Sequence, residues 1–304
     1  MNKNKEQIQA EWLKKADLLT ETLPFMKRYA NKVIVVKFGG NAMGKKEYVS
    51  SFAEDIVLLQ QVGMLPIVVH GGGPQIGEML SKLKIKTEFI DGLRVTDSET
   101  IDVVEMVLSG VTNKSIVTAI SNAGAKAVGI SGKDGNLITA KRLMKIDENS
   151  DSNVERAIDL GFVGVPKKID TQVIKALINE KMIPVIAPVG MGEDGLTYNI
   201  NADTAAGAIS ASMKASRMIM LTDVSGVLDK NRKLIPELTI NEALALIKDK
   251  VVVGGMIPKL KTCIDAVEGG AEASVIMDGT IPHSLLLELF TEHGVGTIIR
   301  KNQS

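Results

Sequence analysis

Short apolar runs alternate with helical stripes along this chain. The runs VIVV (33–36), LPIVVH (65–70), KAVGIS (126–131), MIPVIAPVG (182–190), RMIMLTD (217–223) and ASVIMDG (273–279) are continuous and rich in β-branched residues. Uninterrupted hydrophobicity of this length marks strands buried on both faces. Helix-period segments lie between them, among them EDIVLLQQVG, PQIGEMLSKL, NINADTAAGAIS and IPHSLLLELF. Strand, turn and amphipathic helix in repetition predict an α/β fold with a parallel sheet covered on both faces. DGNLITAKRL (134–143) departs from the rhythm and reads as a β-hairpin.

The first 30 residues stand apart. Ile8, Trp12, Ala16, Leu19 and Leu23 fall at i, i+4, i+8, i+11 and i+15, one apolar stripe on a helix. A break or kink is expected near Pro24. The stripe faces either its own subunit or a neighbouring chain.

Composition narrows the classes. The chain has 304 residues, 45% hydrophobic and 24% charged, enough for a large core. Lys plus Arg equals Asp plus Glu, 36 each, so no global field attracts nucleic acid or an anionic membrane. The single cysteine, Cys263, precludes an intrachain disulfide. The start lacks an apolar signal region and no run reaches 18 uninterrupted apolar residues. The expectation is a soluble, cytoplasmic protein with no nucleic-acid or membrane partner.

In parallel α/β sheets, ligands bind beyond the carboxyl ends of the strands. Two glycine loops stand there. The first, KFGGNAMGKK (37–46), places Lys37 at the strand end before Gly39 and Gly40. It almost fills G-x-x-x-x-G-K-[ST], but Lys46 occupies the Ser/Thr position. The second, GGGP (71–74), has Pro74 suited to a first helical turn. Both could aim backbone N–H groups at an anion; the bland alternative for GGGP is a tight strand-to-helix turn. Gly71, Gly73 and Gly77 also allow a dinucleotide fingerprint, which the following KTEFIDGLRV fits poorly.

Four further places could carry chemistry. Arg94 in DGLRVTD suits bidentate recognition of a carboxylate, or a surface ion pair. Asn199, Asn201 and Asp203 precede a small-residue helix, where Asp203 could cap the helix or orient a lysine. RMIMLTDVSGVLD has a Walker B-like run and acid, followed by a polar loop. Lys259 stands near a predicted helix start in GGMIPKLKTC, where lysines are usually solvated.

Nine segments in order resemble the amino acid kinase family: VKFGGNAM, VVHGGGPQI, DGLRVTD, GISGKDGNL, DLGFVGVP, PVGMGEDGLTYNINADTAAGAIS, MLTDVSGVLD, GGMIPKLKTC and HGVGTIIR. The full set is similar to the branch acting on N-acetyl-L-glutamate. The resemblance implies a three-layer αβα sandwich with a central, mainly parallel, twisted sheet and an N-terminal helical extension. It divides the chain into an oligomerisation helix (1–30), a lobe for the acyl amino acid (31–190) and a lobe for ATP (191–304). The implied reaction moves the ATP γ-phosphoryl group onto the side-chain carboxylate of N-acetylglutamate. Lys37 and Lys259 would stabilise that group, Asp203 would hold both lysines, and Gly40 and Gly72 would donate N–H groups. Gly72, Gly73, Arg94 and Asn199 would bind the acyl amino acid. Gly39, Asp223, Ser225, Gly226 and Leu228 would belong to the nucleotide side. No protein metal ligand is implied; Mg²⁺ would rest on phosphates and water.

The N-terminal helix further resembles the arginine-inhibited, hexameric members, built as trimers of dimers. It implies an L-arginine effector site between that helix and the segment around His283 and 292–297. A PII-type regulator stays open as a partner. Two rival readings remain: a P-loop NTPase, and an effector-sensing relative that has lost turnover.

Overall fold

The computed structural model describes residues 2–146 and 157–302; for 2–11, 41, 145, 146 and 157 only the backbone is described. In chain order the elements are α1 (Asn2–Tyr29), β1 (Val33–Phe38), α2 (Lys46–Gln61), β2 (Leu65–His70), α3 (Gly73–Lys82), β3 (Phe89–Ile90), β4 (Leu93–Arg94) and α4 (Ser98–Glu105). A π-helical turn, Met106–Thr112, joins α4 to α5 (Asn113–Asn122). Then come β5 (Ala127–Ser131), β6 (Ile138–Ile146), β7 (Ala157–Ile169), α6 (Gln172–Asn179), β8 (Ile183–Ala187), β9 (Val189–Gly192), β10 (Thr197–Ile200) and α7 (Ala202–Ser212). The remainder is β11 (Arg217–Thr222), β12 (Glu237–Thr239), α8 (Ile240–Lys248), α9 (Met256–Glu268), β13 (Ala273–Asp278), α10 (Ser284–Phe290) and β14 (Thr297–Arg300).

Eight strands form one sheet in the order β12-β14-β13-β11-β1-β2-β8-β5. All neighbours are parallel except β13 and β14. Each predicted apolar run became a strand of this sheet. The side-chain alternation of β1 shows why the runs are unbroken. Val35 joins a core beneath α7 and α9, with Ala205, Ala206, Ile209, Leu260 and Cys263. Ile34, Val36 and Phe38 join the opposite core beneath α2, α5 and α10, with Phe52, Ile56, Ile116, Ile120 and Leu285. Both faces are dry, so neither can tolerate polar alternation. The result is the expected three-layer αβα sandwich.

Residues 134–143, expected to form a hairpin, hold instead a short 3₁₀ turn and most of β6, which pairs antiparallel with β7 from further along the chain. The two strands close with β9 and β10 into a small barrel that the apolar pattern did not disclose. The helix Ser98–Asn122 is long and apolar enough, by length and composition, to cross a membrane. It lies instead against the sheet and α3, burying Val103, Val104, Val107, Leu108, Ile116 and Ile120.

Helix α1 runs through Pro24 without ending there, contrary to the expected break. Its final turns pack on the core through Phe25, Met26 and Tyr29. Upstream, Trp12, Leu13, Leu18, Leu19 and Leu23 are exposed. The stripe therefore does not lie on its own subunit along that length; the side chain of Ile8, its first member, falls outside the described residues.

Candidate active site

β1 and β2 lie side by side, with Lys37 opposite Val69 and Phe38 opposite His70. Their glycine loops therefore emerge together. Gly71 N–H donates to the Phe38 carbonyl at 2.8 Å. A Cβ on Gly39 would stand 3.1 Å from the Gly71 nitrogen and 3.2 Å from Lys37 Nζ. That approach needs glycine at 39. Gly40 has φ +64, a left-handed conformation that favours glycine. Gly72 stands against the π turn, where a Cβ would lie 2.5 Å from Leu108 Cδ2. Gly73 then opens α3, with Pro74 in its first turn.

Lys37 ends a buried strand with its ammonium aimed at Asp203. Nζ lies 3.0 Å from Asp203 Oδ1, an ion pair off the line of a hydrogen bond. Lys259 Nζ donates to Asp203 Oδ2 at 2.9 Å. One carboxylate thus spans two ammoniums from opposite parts of the chain. Local structure explains how. Asn201, not Asp203, caps α7, accepting from Asp203 N–H at 2.8 Å and Thr204 N–H at 3.2 Å. Asp203 is left free to reach outward. Gly207 and the neighbouring alanines let α7 pack tightly on α9; a Cβ on Gly207 would lie 2.9 Å from Thr262 Cγ2. This sets Lys259, in the first turn of α9, beside Asp203. Burial pushes the Asp203 carboxyl up, but the Lys37 and Lys259 charges outweigh it and hold it below the usual carboxylate range.

A cavity of about 240 Å³ opens next to this triad. It is lined by Lys37, Gly40, Gly72, Gly73, Arg94, Asn199 and Asp203, among others. Arg94 is buried, not on the surface. It stacks over Phe89 at 4.5 Å and donates to Thr87 Oγ1 at 2.8 Å and the Gly73 carbonyl at 3.1 Å. Asn199 on β10 reaches Thr96 Oγ1 at 3.4 Å. Asp223, Ser225, Gly226 and Leu228 follow β11, which pairs with β1, and they lie outside the cavity lining. Gly226 has φ +146 and packs on Thr297, whose hydroxyl accepts from Val227 N–H at 2.8 Å. Lys45 stands apart. It is exposed, precedes α2, and lies 5.3 Å from the Tyr48 ring. It does not line the cavity, as a P-loop lysine would have to.

The sequence reading missed His70 and Asn113. Both are fully buried behind the second glycine loop, and their contact at 3.1 Å joins residues 43 apart. A histidine ending an apolar run was the only available sign.

The model of the amino acid kinase family matches residues 32–278. The chain belongs to the amino acid kinase family. Curated acetylglutamate kinases are similar over nearly full length. That of Rhodospirillum centenum is 58% identical over 95% of each chain. That of Gluconobacter oxydans is 60% identical over 94% of this chain and 97% of its own. Such relatives make this chain an enzyme, a kinase, and the family uses ATP. Among solved structures, N-acetylglutamate synthase from Neisseria gonorrhoeae, complexed with coenzyme A and N-acetyl-glutamate, superposes with TM-score 0.82 at 24% identity over 95% of this chain. This chain spans 64% of that longer protein. Carbamate kinase from Giardia lamblia bound to AMP-PNP gives TM-score 0.63 at 20% identity, covering 90% of this chain and all of that one. Both likenesses concern the fold.

Proposed function

We propose that this chain phosphorylates the side-chain carboxylate of N-acetyl-L-glutamate with ATP, the second step of arginine biosynthesis by the acetylated route. The observation that carries this reading is Asp203 spanning Lys37 and Lys259, with Lys37 and Asp203 both lining the cavity. The acceptor carboxylate is already a nucleophile, so no general base is required. The barrier is repulsion between a carboxylate and a polyanion, and positioning with charge stabilisation must overcome it. A carboxylate oxygen attacks the γ-phosphorus, the bond to the β–γ bridging oxygen breaks, and ADP leaves. Lys37 and Lys259 meet the transferring phosphoryl group from two sides, with Asp203 fixing both. Gly40 and Gly72 supply N–H donors. Arg94 is preoriented by Thr87, Gly73 and Phe89 for a carboxylate of the acyl amino acid, with Gly73 and Asn199 beside it.

The lobe 31–190 would hold the acyl amino acid and 191–304 the nucleotide, with Gly39 and the loop carrying Asp223, Ser225, Gly226 and Leu228 on the ATP side. Asp203 is already engaged by two ammoniums, so Mg²⁺ fits as a companion of the phosphates and water, neutralising charge there. Hydroxamate trapping of the acyl phosphate, with ADP release measured in parallel, tests the reading. N-acetylglutamate should turn over well above glutamate, aspartate or carbamate; preference for any of those three would reject it.

The same reading extends to regulation by L-arginine in a hexamer built as a trimer of dimers. Its support is the exposed apolar length of α1, which its own subunit leaves uncovered. The end of α1 brings Tyr29 under Arg217, whose guanidinium lies 5.2 Å from the ring centre. Glu288 holds the segment 292–297 by accepting from Val295 and Gly296 N–H groups. His283, by contrast, is committed to Asp55 and Ser51 of α2. Light scattering with and without residues 1–25, joined to an arginine titration, tests both parts. A full-length dimer indifferent to millimolar arginine would reject them. A PII-type regulator would be checked by pull-down against the intact oligomer.

A further inference from the structure

The second glycine loop is held from behind by a chain of polar side chains in an otherwise apolar layer. His70 Nδ1 lies 2.8 Å from the Gly71 carbonyl oxygen, and a carbonyl can only accept. Nδ1 therefore carries the proton. Burial lowers the His70 pKa to about 4, with Lys114 the charged group facing it, so the ring is neutral and Nε2 is an acceptor. Asn113 supplies the matching donor: its Nδ2 lies 3.1 Å from His70 Nε2 and 2.9 Å from the Val185 carbonyl. The Asn113 amide cannot be reversed, because Val185 offers only an acceptor and Lys114 Nζ donates to Asn113 Oδ1 at 3.1 Å. Lys114 is itself fixed on the Gly129 carbonyl at 3.0 Å. Gly129 must be glycine for this to fit, since a Cβ there would overlap Asn113 Oδ1. Every proton in the chain Lys114, Asn113, His70, Gly71 is thus assigned by elimination.

The consequence lies in the next peptide. In a trans peptide the C=O and N–H point in opposite directions. Holding the Gly71 carbonyl on the His70 side turns the Gly72 N–H the other way. Gly72 lines the cavity, and its N–H has no acceptor among the described residues. The π turn closes the arrangement by packing Leu108 and Thr112 against Gly72. π-helical turns recur at functional sites. Here the turn precedes Asn113.

We propose that His70 is a positioning residue whose Nδ1–H tautomer, fixed by Asn113 and Lys114, aims the Gly72 N–H at the transferring phosphoryl group. This rests on the reading of Gly72 as a phosphoryl donor given above. A donor fixed in advance spends no reorganisation during transfer.

The chain has three histidines, so ¹⁵N-histidine labelling of the full-length enzyme resolves them. One resonance pair, lost in His70→Asn, should report a neutral Nδ1–H ring that stays unchanged from about pH 5.5 to 8. An Nε2–H ring, or titration inside that window, would overturn the proposal. Kinetics supply the functional arm. His70→Leu should lower kcat about 10- to 100-fold, while KM for ATP stays within about threefold. His70→Asn places an amide N–H near the position of Nδ1 and should recover most of that loss; His70→Gln, reaching toward the Nε2 side, should not. Equal losses in the Leu and Asn variants, with unchanged melting, would also overturn it. The tautomer is read without substrate, so it can fail while the phosphoryl-transfer reading stands. That reading fails separately, if wild-type enzyme does not turn over N-acetylglutamate.

Discussion

Asp55 is buried and Asp203 largely so; each faces basic side chains, and their carboxyls are shifted in opposite directions. Asp203 sits between two lysines, and their charges hold its carboxyl down against the effect of burial. Asp55 sits on α2 with one half-exposed partner, His283, whose Nδ1 lies 2.6 Å away. There burial wins and the carboxyl rises to about 6; His283 pulls it down only in part. Burial alone thus decides nothing about a carboxylate. What decides is the number of permanent cations within contact. The first arrangement holds two ammoniums on one carboxylate that lines a cavity. The second joins α10 to α2 with a contact whose charge depends on pH.

The largest effect should come from stripping Asp203 of one partner. Lys37→Ala should lower kcat about 10²- to 10³-fold, as losing one preorganised donor does. It also leaves Asp203 with a single ammonium, so its carboxyl should titrate higher, readable as an acid-side limb in the kcat profile that wild type lacks. A profile unchanged in shape would show that Lys37 does not govern Asp203.

Arg94→Lys removes the guanidinium fork while keeping the charge. KM for the acyl amino acid should rise about tenfold and KM for ATP hardly at all. Equal shifts in both would displace Arg94 from the amino-acid side. Its stacking on Phe89 and bond to Thr87 are geometry that an ammonium cannot reproduce.

The two aspartates also predict opposite pH terms in stability. For Asp55 the folded value lies above the ordinary 3.8, so the fold binds the proton more tightly than the unfolded chain. Its contribution is full below about pH 4 and is lost as pH rises through about 6. The swing is on the order of 1–3 kcal/mol, at the low end because His283 is half-exposed. For Asp203 the folded value is depressed, so its contribution is present above the ordinary carboxylate range and lost as pH falls below it. Urea unfolding from pH 4 to 7 should show Asp55→Asn flattening the decline, with kcat within about twofold of wild type. An identical decline in the variant would remove Asp55 as its source.

How much of this was legible beforehand depends on the range of the interactions. Each strand of the parallel sheet that carries glycine loops or site residues announced itself, because burial on both faces demands a local apolar run. Lys37, Arg94, Asp203 and Lys259 were readable only through resemblance to a family, since each has a bland alternative. For Asp203 the alternative was a helix cap, and the structure gives that job to Asn201. The barrel of β6, β7, β9 and β10 was mostly hidden. Its pairs mix parallel and antiparallel neighbours, and β6 slips register against β7 twice. Beyond a histidine ending an apolar run, the His70 and Asn113 pair was hidden, because its partners meet only after α5 has crossed back under β2, β8 and β5.

The smallest effect belongs to the lysine that the sequence pattern made most conspicuous. Gly39, Gly44 and Lys45 fill the first part of a P-loop signature, yet the chain there folds as a short 3₁₀ turn, Gly40–Met43, before α2 begins. Lys45 ends exposed, over the Tyr48 ring, outside the cavity lining and with no ion pair among the described residues. An exposed cation–π contact contributes about 0.5–1 kcal/mol to stability and nothing to a reaction elsewhere. Lys45→Ala should therefore leave kcat within about twofold of wild type, against the hundredfold or greater loss expected at Lys37. The pair of variants separates two ways of holding a phosphate. In a P-loop the lysine follows the glycines and reaches the phosphates from the helix start. In the arrangement seen here the lysine precedes the glycines, at the strand end, and is fixed by a carboxylate shared with a second lysine. Comparable losses in both variants would return the first glycine loop to the P-loop reading and leave the Asp203 triad as an ion-pair network that ties α7 to β1 and α9.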